Sequence, residues 1–142
     1  MQTLDLGRAF FGAICVGLGR AALEESIHFA KNRIILGRPI IENQGIGFLL
    51  AELATELEAA RLLVWRACRL MDLGLDYSRE SSMAKLMASE AAVRITTEGT
   101  QILGQRGYIN ASPMDKYQRD AQALRILEGT SQIQKIIIAS QL

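Results

Sequence analysis

The sequence predicts an all-α protein, an antiparallel up-and-down four-helix bundle. Three observations predict it. Long segments carry apolar residues at three-to-four spacing, and none alternates convincingly at period two. The two prolines, Pro39 and Pro113, stand beside glycines that cut the chain into helix-length pieces. With 142 residues, 49% apolar and 22% charged, the chain can bury one core and has no room for a second domain of ordinary size.

The first segment, residues 4–32, has Asp5 as its N-cap and an apolar stripe of Phe10, Ile14, Gly17 and Ala21. Gly12, Gly17 and Gly19 would each weaken an isolated helix by up to ~1 kcal/mol, which implies close approach of another element or a ligand. The second segment starts after Arg38-Pro39 and stops at Gly74. Leu50, Leu53, Leu57, Ala60, Val64, Ala67 and Met71 form its stripe, while Glu52, Glu56, Glu58, Arg61 and Arg69 take other faces. This is a bundle helix about 40 Å long at 1.5 Å per residue.

The third segment, residues 78–103, carries a seam of Ala84, Ala88, Ala91, Ile95, Gly99 and Ile102 that admits a close neighbour, with Gly104 as its C′ residue. An irregular stretch with Gly107, Asn110 and Pro113 follows, then a short polar turn over residues 115–120. The last helix starts at Thr130 or Ser131 and runs to the end. Ile136, Ile137 and Ile138 cannot all face one core, so part of that surface is expected to meet another chain or a further domain. Trp65 and the methionines fall at bundle spacing and are expected to pack in the core.

A net charge of +1, with Lys and Arg scattered among acids, leaves no basic surface for nucleic acid. Cys15 and Cys68 lie 53 positions apart in alanine-rich apolar segments, without a further Cys or a His at metal-ligand spacing. They read as buried free thiols of a reducing compartment, and no metal site is expected. Asp5, Arg8 and Arg20 interrupt the first twenty residues, so these do not resemble a signal peptide, and no apolar run reaches the ~18 residues of a membrane span. A soluble protein of the cytosol or an organelle matrix is the expectation. His28, the sole histidine, has no nucleophile beside it, so a catalytic triad has no support. Gly104-Gln105-Arg106-Gly107 follows a helix and matches neither phosphate-binding glycine pattern.

The stretch RILEGTSQIQKIII, residues 125–138, places Glu128 after Ile126 and Leu127 and before Gly129. Thr130 or Ser131 caps the helix that follows, whose free N–H groups favour a nearby anion. An acid in this setting can serve as a proton acceptor, but on local chemistry alone a capping or solvated glutamate is the simpler reading. Asp5 and Arg8 have the spacing of an i,i+3 ion pair, worth at most ~1 kcal/mol on a surface. Arg33 and Arg38 bracket a corner where a guanidinium either clamps a phosphate or is simply solvated.

Five stretches taken together resemble the C-terminal helical domain of the acyl-CoA dehydrogenases, and most closely the short-chain members. They are LDLGR (residues 4–8), NRIILGRPIIENQ (32–44), QILG with Gly107-Tyr108 (101–108), YQRDA (117–121) and ILEGTSQIQ (126–134). The resemblance covers nearly the whole chain, and the last stretch is highly specific.

The resemblance implies an oxidoreductase acting on CH–CH groups: α,β-dehydrogenation of an acyl-CoA thioester, with a carboxylate taking the α-proton and FAD accepting a hydride from the β-carbon. Glu128 matches the position of that base. Some members carry the base on the first helix, immediately before the arginine matching Arg8, where this chain has Gly7. Gly129 would approach the thioester, with Asp5 and Arg8 on the substrate side. Thr130 and Gln132 would reach the cofactor, whereas Arg33, Gln44, Gln101 and Gly104 would contact the ADP half of FAD on a neighbouring subunit. A water-poor setting, supplied in part by Ile126 and Leu127, would strengthen such a base.

The resemblance further implies a homo-oligomer, dimer or tetramer, with an electron-transfer flavoprotein as a partner in the parent, located in bacterial cytoplasm or mitochondrial matrix. Three positions depart from the family pattern: Leu36 replaces an aromatic residue, Gln105 the second of two glycines, and Leu127 a tyrosine. Relatives carry an N-terminal helical domain and a middle β-domain, so residues 1–142 are expected to be the C-terminal domain alone, inactive in isolation. The rival readings are a stand-alone helical oligomerisation module without catalysis, and a domain of an acyl-CoA oxidase or of a dehydrogenase for carrier-bound acyl groups.

Overall fold

The computed structural model describes residues 2–109 and 112–142, so Asn110 lies outside the described residues. Five α-helices occur among them: α1 (Gln2–Asn32), α2 (Gln44–Asp72), α3 (Ser78–Leu103), α4 (Met114–Leu124) and α5 (Ser131–Ala139). The up-and-down order is carried by the first four. Residues 5, 12 and 19 of α1 lie beside 78, 84 and 92 of α3, so these two run parallel. Gly12 and Gly19 also touch Val64 and Leu57, which makes α2 antiparallel to α1. The return strut is α4: Met114 meets Gly99, and Arg125, just past its end, meets Lys85. Short α5 packs on the outside of α3.

The fourth helix of the bundle is therefore α4, where a polar turn was expected. Charge at Asp115, Lys116, Arg119 and Asp120 suggested a turn, yet these residues form i,i+4 pairs on one face, Lys116 with Asp120 and Arg119 with Asp115. The opposite face buries Met114, Ala121 and Leu124. A second difference is a two-residue antiparallel ladder, β1 (Ile34–Ile35) with β2 (Arg38–Pro39). Leu36 at φ +51° and Gly37 at φ +82° make the primed two-residue turn that closes it.

Small residues set the spacing of α1 and α3. A methyl group on Gly99 would stand 2.6 Å from Ser26 Oγ, and one on Gly19 would stand 3.7 Å from the Ala92 Cα. The seam expected on α3 is buried at Ala84, Ala88, Ala91, Ile95 and Gly99, with Ile102 at its edge. On α1 the expected stripe is reversed. Ala9, Gly12, Cys15, Gly19, Ala22 and Ser26 face inward, and Phe10 and Ile14 are 65% and 41% exposed. Large side chains on the inner face would force the helices apart, so sterics overrules hydrophobicity here.

The stripe of α2 is buried from Leu50 to Ala67 as expected, with Met71 half-buried in its last turn. Trp65 is not in the core; it sits one residue past Val64 and points outward. By length and composition α1 is apolar enough to cross a membrane, contrary to the sequence reading, but its inward face packs against α2 and α3 as a core helix does.

Cys15 is buried at the seam and Cys68 is half-buried. Burial pushes the Cys15 thiol from 9.0 up to about 11. Its folded-state value lies above the unfolded one, so this thiol's contribution to stability is complete below pH 9 and is lost as the pH rises toward 11. At pH 8, iodoacetamide is expected to leave Cys15 unmodified in the folded protein and to alkylate it after denaturation, as peptide mass spectrometry would read. Rapid native alkylation would contradict the seam.

Candidate functional site

The loop from α4 to α5 is built by two consecutive residues with positive φ, Glu128 at +55° and Gly129 at +95°. For a residue with a Cβ this region costs about 1–2 kcal/mol, so other contacts must hold Glu128 there. The double reversal lets Thr130 cap α5, its side chain accepting from the Ile133 N–H at 3.4 Å. Ile126 and Leu127 do not bury the acid as expected. Their N–H groups both turn back to the Ala123 carbonyl, and the turn leaves the side chains 65% and 49% exposed.

What shelters Glu128 is α1. A methyl group at position 7 would stand 2.6 Å from Glu128 Oε2, so the carboxylate occupies the space a side chain on Gly7 would fill. Gly7, which meets the acid, shares a turn of α1 with Asp5 and Arg8. Asp5 and Arg8 pair with each other, and Ser78 Oγ at the start of α3 donates to Asp5 Oδ1 at 3.0 Å. Two expectations change. Because α1 begins at Gln2, Asp5 lies inside the first turn and is not the cap. The ion pair is buried, at 5% and 6% exposure, and is not a surface pair.

Four further residues support the loop and were not assigned from sequence: Gly7 as a cradle, Lys85, Glu90 and Gln134. Lys85 Nζ donates to the carbonyls of Arg125 (3.1 Å) and Gly129 (2.6 Å). Gln134 Nε2 donates to those of Glu128 (3.2 Å) and Gly129 (3.0 Å). Both side chains are fully buried. Glu90 Oε1 accepts from Ser131 Oγ at 2.6 Å and Arg125 Nε at 3.1 Å, tying the loop's two ends to α3. Burial holds the Lys85 ammonium below its usual range, with Cys15, Glu90 and Glu128 working against that shift. A signal for Lys85 was present: it falls on the seam line Ser81, Lys85, Ala88, Ala92, Ile95, where a cation must find partners.

The expected residues divide between two ends of the bundle. Asp5, Arg8, Glu128, Gly129 and Thr130 are together at one end; Gln132 is exposed on the first turn of α5, beside a depression of about 270 Å³ lined also by Thr130, Ser131 and Arg125. Arg33, Gln44, Gln101 and Gly104 lie exposed at the other end, about 38 Å away along the 25 residues of α1 that separate Arg8 from Arg33. There an open groove of about 720 Å³ is lined by His28, Asn32, Arg33, Leu103 and Arg106, and the Arg106 guanidinium stands 5.8 Å over the Phe29 ring. Neither Arg33 nor Arg106 has a carboxylate partner among the described residues. Of the four residues expected at this end, only Arg33 lines that groove; Gln44, Gln101 and Gly104 do not.

Replacing Arg8 with Met would leave the Asp5 carboxylate buried with only Ser78 as a cross-helix partner. The expected loss of unfolding free energy is roughly 3 kcal/mol, measurable by urea denaturation; a loss below 1 kcal/mol would show that the pair is solvated.

The sequence matches the family described as Acyl-CoA dehydrogenase, C-terminal domain, over residues 1–142. It is 46% identical over 142 residues to the short-chain specific acyl-CoA dehydrogenase of mitochondria in Rattus norvegicus, covering 100% of this chain and 34% of that protein. It is 45% identical to an acyl-CoA dehydrogenase of Bacillus subtilis, covering 100% and 38%. Among solved structures, one described as the electron transferring flavoprotein of Acidaminococcus fermentans superposes with a TM-score of 0.98 at 38% identity, over 99% of this chain and 37% of that one. The chain thus spans little more than a third of the length of these relatives.

Proposed function

As the chain belongs to the acyl-CoA dehydrogenase family, matched throughout by that family's C-terminal domain, we propose that it is the helical domain supplying the catalytic base of an FAD-dependent acyl-CoA dehydrogenase. The observation that carries this reading is the placement of Glu128: a glutamate in a left-handed turn, with its carboxylate over the bare backbone of Gly7. That position is shared by two elements, α1 and the α4–α5 loop, and an acid can reach it from either.

In this mechanism Glu128 takes the α-proton of an acyl-CoA thioester, and the Gly129 backbone lies against the thioester group. Asp5 and Arg8 form the buried floor on the substrate side. Bound FAD supplies the acceptor for the hydride that leaves the β-carbon. Thr130 and Gln132, at the positive end of α5, face that cofactor. Short-chain acyl groups are the proposed substrate class, in line with the rat relative's name.

At the far end, Arg33, Gln44, Gln101 and Gly104 contact the ADP half of FAD. Arg33 and Arg106, neither ion-paired among the described residues, line this groove and can hold a diphosphate, with Glu25 the acid on the same lining. The 38 Å or so between the two ends favours service to two different cofactor molecules, and hence a homo-oligomer, dimer or tetramer, in which neighbours share sites. N-terminal helical and middle β-domains complete each site, so residues 1–142 alone are inactive. The parent enzyme passes its electrons to an electron-transfer flavoprotein and resides in mitochondrial matrix or bacterial cytoplasm.

In flavin-loaded protein containing this chain, Glu128→Gln is expected to slow flavin bleaching by a short-chain acyl-CoA about 10³-fold. An unchanged rate in stopped-flow absorbance would refute the assignment. Gly7→Ala separates stability from chemistry: the helix gains up to ~1 kcal/mol of propensity, while the new methyl displaces the carboxylate. The expected result is an unfolding midpoint that does not fall, together with flavin reduction slowed by about tenfold or more.

A further inference from the structure

We propose that Lys85 and Gln134 are positioning residues for the base: a buried pair of donors that grips the carbonyls of Arg125, Glu128 and Gly129 and so aims the Glu128 carboxylate at Gly7. This rests on the reading of Glu128 as the base.

Three features of the site carry it. Glu128 sits at φ +55°, a conformation that a residue with a Cβ leaves unless it is held. Rotation to negative φ would swing the Cβ and carry the carboxylate off α1. The holding contacts are specific, because four donor bonds from two side chains reach three carbonyls, those of Arg125, Glu128 and Gly129.

The third feature is the choice of residue. Lys85 is fully buried and pairs with no carboxylate within salt-bridge distance among the described residues; its ammonium is spent on backbone oxygens. Where burial is the only requirement, an apolar side chain of the same length packs without desolvating a charge. An ammonium offers what an apolar chain cannot, donors in several directions that meet carbonyls left unpaired by the double reversal. Gln134 supplies the neighbouring donor from the first turns of α5, so the loop is gripped from α3 on one side and α5 on the other.

The test uses flavin-loaded, full-length enzyme bearing this chain, and reads single-turnover flavin reduction and acyl-CoA affinity separately. Lys85→Met is expected to lower the saturating rate about 100-fold, with the acyl-CoA Kd changed by less than about threefold. Gln134→Leu should lower the rate about tenfold, and Lys85→Arg, which keeps the charge and donors, should recover part of the loss.

The double variant Lys85→Met/Glu128→Gln distinguishes positioning from a general structural loss: a residue acting through Glu128 adds no further loss to Glu128→Gln, whereas independent losses multiply. Native rates in both Lys85→Met and Gln134→Leu, or losses that multiply with Glu128→Gln, would overturn the proposal. If Lys85→Met does not load flavin, Gln134→Leu and Lys85→Arg decide by the same criteria. A native rate in Glu128→Gln itself overturns the base assignment and is a separate outcome.

Discussion

The close approach of α1 to α3 is the constraint on which the remaining geometry depends. Glycine and alanine line both sides, so the two backbones approach with little side chain between them, and their parallel register is fixed by where small residues face each other. That register brings Asp5 to Ser78 and sets the first turn of α1 against the start of α3. The α4–α5 loop is anchored to α3 through Lys85 and Glu90, and in consequence Glu128 arrives over Gly7. A larger inner face on either helix would move the acid and its cradle apart, though neither lies in the middle of the seam.

The buried polar groups fall into two kinds, and the division marks the site. Away from the Glu128 end, buried hydroxyls bond chiefly within their own helix, Ser26 to the Ala22 carbonyl and Thr96 to that of Ala92. Such groups are small fillers whose polarity is satisfied locally, and they suit a tight seam. At one end the pattern changes. Asp5 takes a proton donor from α3, Lys85 and Gln134 reach the loop, and Glu90 holds Ser131 and Arg125. Polar atoms that bond across elements determine relative position, and their concentration around Glu128 is what a site needing a fixed acid requires.

Periodicity made the core faces of α2 and α3 legible, because each pairs one apolar stripe with charged flanks. It misled on α1, where the larger apolar residues were taken for the core face. Hydropathy ranks Phe10 and Ile14 above Gly12 and Gly19, and only the seam on α3 shows that volume, not polarity, decides the inner face. The polar reading of residues 115–120 failed for a related reason: ion pairs one turn apart decorate the outer side of a helix whose inner side shows only as Met114, Ala121 and Leu124. Glu128 was found by its motif, but for an incomplete physical reason. Its shelter comes from a residue 121 positions earlier in the chain, which no local reading of Ile126 and Leu127 could reveal.

The same sorting by volume explains the outer surface. With the inner face of α1 given to small residues, Leu6, Phe10 and Ile14 remain outside, together with Trp65 of α2 and Ile136 of α5. A helix whose larger apolar groups point away from its own bundle presents the kind of surface that marks an interaction face. Under the proposed function that face is met by further domains and neighbouring subunits, which would complete the two ends of α1 about 38 Å apart. One rigid helix then couples a proton acceptor's cradle at its first turns to a diphosphate-binding corner at its last. A break in the middle of α1 would disturb both ends at once, because that helix carries Gly7 in its first turns and His28, Phe29 and Asn32 of the groove in its last.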